Sequence, residues 1–180
     1  MNRKAFTLME LMVVVLIIAI LASIALPLYN ASVDNQNNQR AKAIMQAING
    51  GMERWSREYP DLHVPNDAVV FISNPPVGTA CNYNGQSLTI EEFIKQMIAC
   101  GYIPTYNYGT ASHVDGDGAI DYRFRLQDPS TPTVYGAGFV AMEPKPGSKV
   151  GDKFCALTSG VCAYKAGFKS DGSVIDIYNN

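Results

Sequence analysis

The sequence predicts an α+β chain: a long N-terminal helix, transmembrane in its first half and amphipathic in its second, packed on a C-terminal antiparallel sheet. Three observations predict it. Leu11 to Leu26 is a run of sixteen residues in which only Ser23 is polar. Val33, Asn37, Ala41, Ile44, Ile48, Met52, Trp55 and Tyr59 then recur at steps of three and four, the spacing of one helix face. The last third holds short runs rich in β-branched and aromatic residues, separated by turn residues.

Phe6 to Tyr29 is 24 residues, about 36 Å as helix and enough to cross a ~30 Å hydrocarbon core with tilt. The helix continues over 30–59 with an opposite face of Asn35, Gln39, Lys42, Gln46, Asn49 and Arg57. Gly50-Gly51 is expected to loosen it by roughly 1 kcal/mol per glycine relative to alanine. Pro60 ends it. An amphipathic helix lying on the membrane is the competing reading, but the polar face is amide-rich and poor in Lys and Arg, which favours packing on a sheet.

Residues 60–180 read as a globular head. Its first part, 60–88, is a Pro- and Gly-rich loop with one short strand at Val69–Ile72. A second helix occupies 89–100, opened by a capping box of Thr89 and Glu92 and stopped by Gly101. Its buried face is Phe93, Ile94, Met97 and Ile98. Strands are expected at Ile120–Leu126, Val134–Met142, Lys153–Leu157, Val161–Phe168 and Val174–Tyr178, with "SDG" at Ser170–Gly172 turning the last pair.

Hydrophobic residues make up 47% and charged residues 17%, a skew produced largely by the first segment. The formal charge of −2 and the scattered Lys and Arg leave no basic face, so nucleic acid is not an expected partner. Cys81, Cys100, Cys155 and Cys162 all lie beyond the apolar segment, separated by 18, 54 and 6 residues. Those spacings lack the close pairs of a metal site, and an even count in an exported domain points to two disulfides with three possible connectivities. Sequence-neighbour pairing is favoured, Cys81 with Cys100 and Cys155 with Cys162. A turn centred on Thr158-Ser159 sets the second pair opposite each other.

Three readings compete for the first 29 residues. A secretory signal peptide accounts for "NRK" and offers Ser23-Ile24-Ala25 as a late cleavage site, but Thr7 and Glu10 interrupt its apolar border. A plain anchor accounts for the length and keeps Arg3 and Lys4 cytoplasmic, yet leaves Glu10 unexplained. A carboxylate costs roughly 2.5–3.5 kcal/mol at the centre of an inserted helix and less near its end.

The third reading rests on "KAFTLMELMVVVLIIAILASIALPLY". This stretch resembles the class III leader of type IV pilins and type II secretion pseudopilins. The resemblance implies a cleaved leader at 1–5 and a membrane and filament-core helix at 6–29. Prepilin peptidase would cut between Ala5 and Phe6 and N-methylate Phe6. Ala5 departs from the usual Gly, which implies slower cleavage. The spacing of four places the new Phe6 amine of its own chain on the same helix face as Glu10. The resemblance assigns Glu10 to assembly, pairing with the Phe6 amine of a neighbouring copy, and Pro27 to a helix kink. It also implies the ladle fold of that family. Loss of Arg3 and Lys4 would take the formal charge from −2 to −4.

Two functions follow from the resemblance. One is the shaft subunit of a type IV pilus; the alternative is a pseudopilin of a type II secretion system, moving folded proteins across the outer membrane. Length and paired cysteines lean toward the pilus. Implied partners are copies of the chain itself, prepilin peptidase, an inner-membrane assembly platform, minor pilins or pseudopilins, and lipid before assembly. The implied location is single-pass in the inner membrane, N-terminus cytoplasmic and head periplasmic, then the cell surface or a periplasmic pseudopilus.

No enzyme is expected. His63 and His113 lie in no arrangement for nucleophilic catalysis. Gly136, Gly138 and Ala141 spell GxGxxA, but Pro144 and Pro146 bar the helix a dinucleotide site needs, so this reads as a glycine-bearing strand. Asp115, Asp117 and Asp121 in "HVDGDGAIDYRF" begin like a calcium loop. Ala119 and Leu126 then stand where oxygen ligands belong. Some major pseudopilins bind calcium in a C-terminal loop, but a solvated Asp-Gly turn is favoured and no cofactor is expected. Tyr102, Tyr106 and Tyr108 read as packing under a Gly-rich loop in preference to a contact surface.

Overall fold

The computed structural model describes residues 7–65, 68–70, 80–110, 120–130, 136–156 and 160–178. Helix α1 spans Leu8–Glu58, 51 residues, and runs through Pro27 without interruption. The chain divides into two compact units, one ending at Asn38 and the other Gln39–Asn180.

No described residue of the first unit is buried. Leu8, Leu16, Ile18, Leu21, Ile24 and Leu28 are each more than half exposed. So much uncovered apolar surface is stable in hydrocarbon or against another apolar surface, and unfavourable in water. Ser23 is accommodated because its hydroxyl donates to the Ile20 carbonyl at 2.7 Å.

The second unit holds the core. Strands β1 (Ala68–Val70), β2 (Tyr122–Leu126), β3 (Val140–Pro144), β4 (Tyr164–Phe168) and β5 (Val174–Tyr178) form one sheet in that order. Every pair is antiparallel. Register places Val70, Phe124, Met142, Ala166 and Asp176 in one row across all five strands. The first four are buried. Asp176, on the edge strand, ends the row as a charge: it pairs with Lys42 of α1 at 2.8 Å and accepts from the Tyr164 hydroxyl at 2.7 Å. A charge at an edge disfavours pairing with a further strand.

Ala41, Met45, Ile48, Met52 and Trp55 of α1 share one core cluster with that row. Their spacing is the helical period, but the buried face is rotated from the one expected. Ile44 is only partly buried and Met45 is fully so. Asn49, assigned above to the polar face, is buried too. Its amide donates to Glu53 at 2.7 Å, and its carbonyl accepts the Phe139 N–H at 2.8 Å just before β3 begins. A buried amide is tolerated when both ends are satisfied.

The glycine pair also behaves differently from expectation. Gly50 faces open space, whereas the Tyr102 carbonyl fills the position a β-carbon at Gly51 would take. Gly51 is there so that two backbones can meet.

Helix α2 spans Ile90–Ala99, with the Thr89 hydroxyl accepting the Glu92 N–H at 3.3 Å. Phe93, Ile94, Met97 and Ile98 are buried. Gly101, at φ 75°, turns the chain away.

Four strand expectations are corrected. Lys149–Phe154 is a helix, α3, so Lys153 and Phe154 of the strand placed at 153–157 are helical, Cys155 makes an isolated bridge to Cys162, and Leu157 lies outside the described residues. The Ser148 hydroxyl caps α3 by accepting the Gly151 N–H at 2.8 Å, a start signal outweighed in the sequence by apolar alternation. Gly136 and Gly138 lie ahead of β3, not within a strand from residue 134: Gly136 has φ 98° and sits on the Phe168 backbone. The strands at 120–126 and 161–168 begin at Tyr122 and Tyr164. Of the strand expected at 69–72, Phe71 and Ile72 lie outside the described residues.

Candidate functional site

The N-terminal end of α1 is where sequence and geometry converge. Thr7 precedes the helix, and its hydroxyl accepts the Glu10 N–H at 3.2 Å. Glu10 Oε2 reaches back to accept the Thr7 N–H at 2.9 Å and the Thr7 hydroxyl at 2.8 Å. This is a reciprocal capping box, Thr-Leu-Met-Glu, in which two N–H groups otherwise left unpaired at a helix start are satisfied. The carboxylate also sits in the first turn, where the helix dipole favours negative charge.

Glu10 therefore has a helix-capping role that the sequence reading did not assign. Thr7 is its missed partner, and the T-x-x-E spacing was a legible signal. Capping uses one carboxylate oxygen, Oε2. Met9, Glu10, Val13 and Val14 are all exposed, so the carboxylate stands at the margin of an uncovered apolar surface. Such an arrangement suits recognition of a cation carried on another apolar segment. Ala5 and Phe6 lie outside the described residues. Pro27 lies inside α1. Among the described residues α1 is the one helix long and apolar enough to cross a membrane.

The other singled-out residues fall in the second unit. Cys81 is bonded to Cys100 and Cys155 to Cys162. The first bond ties the loop carrying Tyr83 to the C-cap of α2. The second closes a short turn in which Ala156 donates to the Val161 carbonyl at 2.7 Å. Thr158 and Ser159 lie outside the described residues.

Asp121 is described, and its carbonyl accepts the Lys145 N–H at 2.8 Å. Asp115, Asp117 and His113 are outside the described residues. Among the described residues no group of three His, Cys, Asp or Glu side chains gathers to hold a metal.

Tyr108 is buried, with its hydroxyl donating to the Pro104 carbonyl at 2.6 Å. Arg40 stacks over the Tyr106 ring and Arg54 over Tyr102. Burial, then the hydrogen bond to Glu58, pushes the Tyr102 hydroxyl up to about 12.

His63 bonds Asp128 at 2.7 Å, and the Ser130 hydroxyl donates to the same carboxylate at 2.6 Å. Both therefore converge on Asp128. The serine-to-histidine bond that activates a nucleophile is replaced by a serine-to-aspartate bond. This cluster staples the chain after α1 to the end of β2. On the outer side of the sheet, Glu143 is buried between Arg123, at 2.6 Å, and Arg125.

Residues 1–26 match the family described as the prokaryotic N-terminal methylation motif. No curated protein and no solved structure matches significantly. The matched stretch contains Thr7 and Glu10 and ends at Leu26, the last residue of the apolar run.

Proposed function

Because the chain carries, over residues 1–26, the class III prepilin-type leader of type IV pilins and pseudopilins, we propose that it is a structural subunit of a type IV pilus. Prepilin peptidase cuts between Ala5 and Phe6 and methylates the Phe6 amine. The mature chain then polymerises through α1. The observation that carries the reading is the leader match together with the exposed apolar side chains of α1 from Leu8 to Tyr29 and a carboxylate near the start of that helix.

Assembly follows from that pairing of surface and charge. Each incoming copy buries apolar side chains against those already in place, the main favourable term. Glu10 keeps its capping bond to Thr7 and offers its other oxygen to the Phe6 amine of a neighbour. A cation and a carboxylate buried together cost far less than either alone, which makes the pairing a register device. The inner membrane holds the subunit beforehand, N-terminus cytoplasmic and head periplasmic. Two disulfides in the head suit a fibre exposed outside the cell, and this favours a pilus over a secretion pseudopilus.

Intact mass and N-terminal sequencing of the membrane-extracted protein test the processing. A chain beginning at N-methylated Phe6 is expected; one still beginning at Met1 would defeat the proposal. Imaging of sheared surface fractions then separates the two destinations. Long filaments containing this chain support a pilus. Loss of protein secretion without surface filaments, on deletion of the gene, supports the pseudopilus.

A further inference from the structure

The sequence contains two Asn-Gly steps, Asn49-Gly50 and Asn84-Gly85. This dipeptide is chemically the most labile context for asparagine, because a glycine amide meets no side chain of its own as it approaches the neighbouring carboxamide. The fold treats the two steps oppositely.

Asn49 is 7% exposed within α1. Its carboxamide is held at both ends, by Glu53 at 2.7 Å and by the Phe139 N–H at 2.8 Å. The helix also fixes the backbone of Gly50, so its nitrogen cannot swing onto the Asn49 side chain. Asn84 is exposed and lies in a bend outside any helix or strand. Gly85 follows at φ 86°. The Asn84 N–H is held by Gln86 Oε1 at 2.8 Å, which fixes the residue in the bend while its side chain faces solvent.

We propose that Asn84 is a site of spontaneous, structure-selected deamidation and that Asn49 is protected from it. The Gly85 backbone nitrogen, losing its proton to hydroxide, attacks Cγ of Asn84. The new N–C bond closes a five-membered succinimide, and the side-chain nitrogen leaves as ammonia after gaining a proton. Water then opens the ring at either carbonyl, giving aspartate or isoaspartate. The net change is consumption of one water and release of one ammonia, with no oxidant or enzyme. Each event adds one negative charge. The isoaspartyl product also lengthens the main chain beside Tyr83, which packs edge-on to Tyr59 and Phe93. A long-lived extracellular chain would thus carry a chemical record of its age.

The test is incubation of the mature full-length chain in detergent micelles at mildly alkaline pH, followed by peptide mapping that separates aspartate from isoaspartate. Folded protein should gain the amide-to-acid mass change at Asn84 at least about tenfold faster than at Asn49, and denaturant should bring Asn49 up to the same rate. Asn84→Gln, which cannot close the five-membered ring, should stay unmodified with its melting temperature unchanged. Gly85→Ala should slow the reaction; its β-carbon has room, at 3.5 Å from Tyr59, though its φ is unfavourable. Equal rates at the two sites in folded protein would overturn the proposal. So would an Asn84 that stays intact until the chain is unfolded.

Discussion

The carbonyl of Tyr102 rests on Gly51 so closely that no other residue type fits there, while Gly50, one position earlier, faces open space. Adjacent glycines in one helix thus carry opposite consequences. Gly50→Ala should stabilise the isolated subunit by about 1 kcal/mol, the helix-propensity gain. Gly51→Ala should destabilise it by roughly 1–3 kcal/mol, since the backbone of residues 101–103 must move. Chemical denaturation of both variants checks this, and equal effects would contradict the close approach.

Asn49 joins α1 to the start of β3 through the Phe139 N–H. Asn49→Ala should cost roughly 1–3 kcal/mol, because it leaves that part-buried N–H without its acceptor. Hydrogen exchange at Phe139 should accelerate in the variant. If exchange there is unchanged, another group already serves as acceptor.

Burial by itself raises the Asp128 carboxyl, but the Ser130 hydroxyl and amide, with His63, outweigh burial and hold it below the usual range. Asp176 is likewise raised by burial, and Lys42 and Tyr164 bring it below. A carboxyl depressed by folding contributes stability that is fully present above its unfolded value, about pH 4. That contribution disappears as pH falls through the depressed folded value. Denaturation as a function of pH should therefore show stability falling below about pH 4. Ser130→Ala should make that fall shallower and return the Asp128 carboxyl toward the ordinary range, as read by carboxyl NMR titration.

The two disulfides close loops of different length, with sequence separations of 19 and 7. On the chain-entropy account, replacing both Cys81 and Cys100 by Ser should cost about 3 kcal/mol, and replacing both Cys155 and Cys162 about 2 kcal/mol. Reducing and non-reducing melts of each variant would check the order. A larger loss from the second pair would mean that α3 and the turn after it depend on the bond beyond loop entropy.

Thr7 and Glu10 separate two roles in one short motif. Thr7→Ala removes one half of the capping box and should cost about 1 kcal/mol of helix-end stability while leaving the carboxylate available. Glu10→Ala removes both the cap and the charge. If the charge sets filament register, Glu10→Ala should abolish surface filaments and Thr7→Ala should retain them. Equal loss in both variants would assign Glu10 to capping alone.

Periodicity made the α+β plan legible. The run at Leu11–Leu26 and the strand patterns at 120–126 and 174–178 are local signals; tertiary structure kept them, trimming the 120–126 strand to start at Tyr122. The phase of the α1 stripe was not legible, because Asn49 becomes core-facing only through an N–H contributed some ninety residues later. Alternation around Lys153 outweighed a serine cap, and six residues are too few for helical periodicity to compete. At the N-terminus the T-x-x-E spacing is plain in sequence, but its capping use competes with a stronger signal, a carboxylate bordering a membrane-length apolar run. Close approach at Gly51 has no sequence signature at all, since a glycine reads the same whether it loosens a helix or admits a neighbour.

Trp55 is the single tryptophan in the chain, buried against Tyr83 and Phe93. The Cys81–Cys100 bond pins the loop carrying Tyr83 to the helix carrying Phe93. The protein thus contains a built-in optical reporter. Its indole emission reads out one location, the junction of α1, α2 and the disulfide-pinned loop, with no competing fluorophore of its kind elsewhere. Oxidative folding of the head can be followed in unlabelled protein, in detergent or in filaments, by watching one ring leave water.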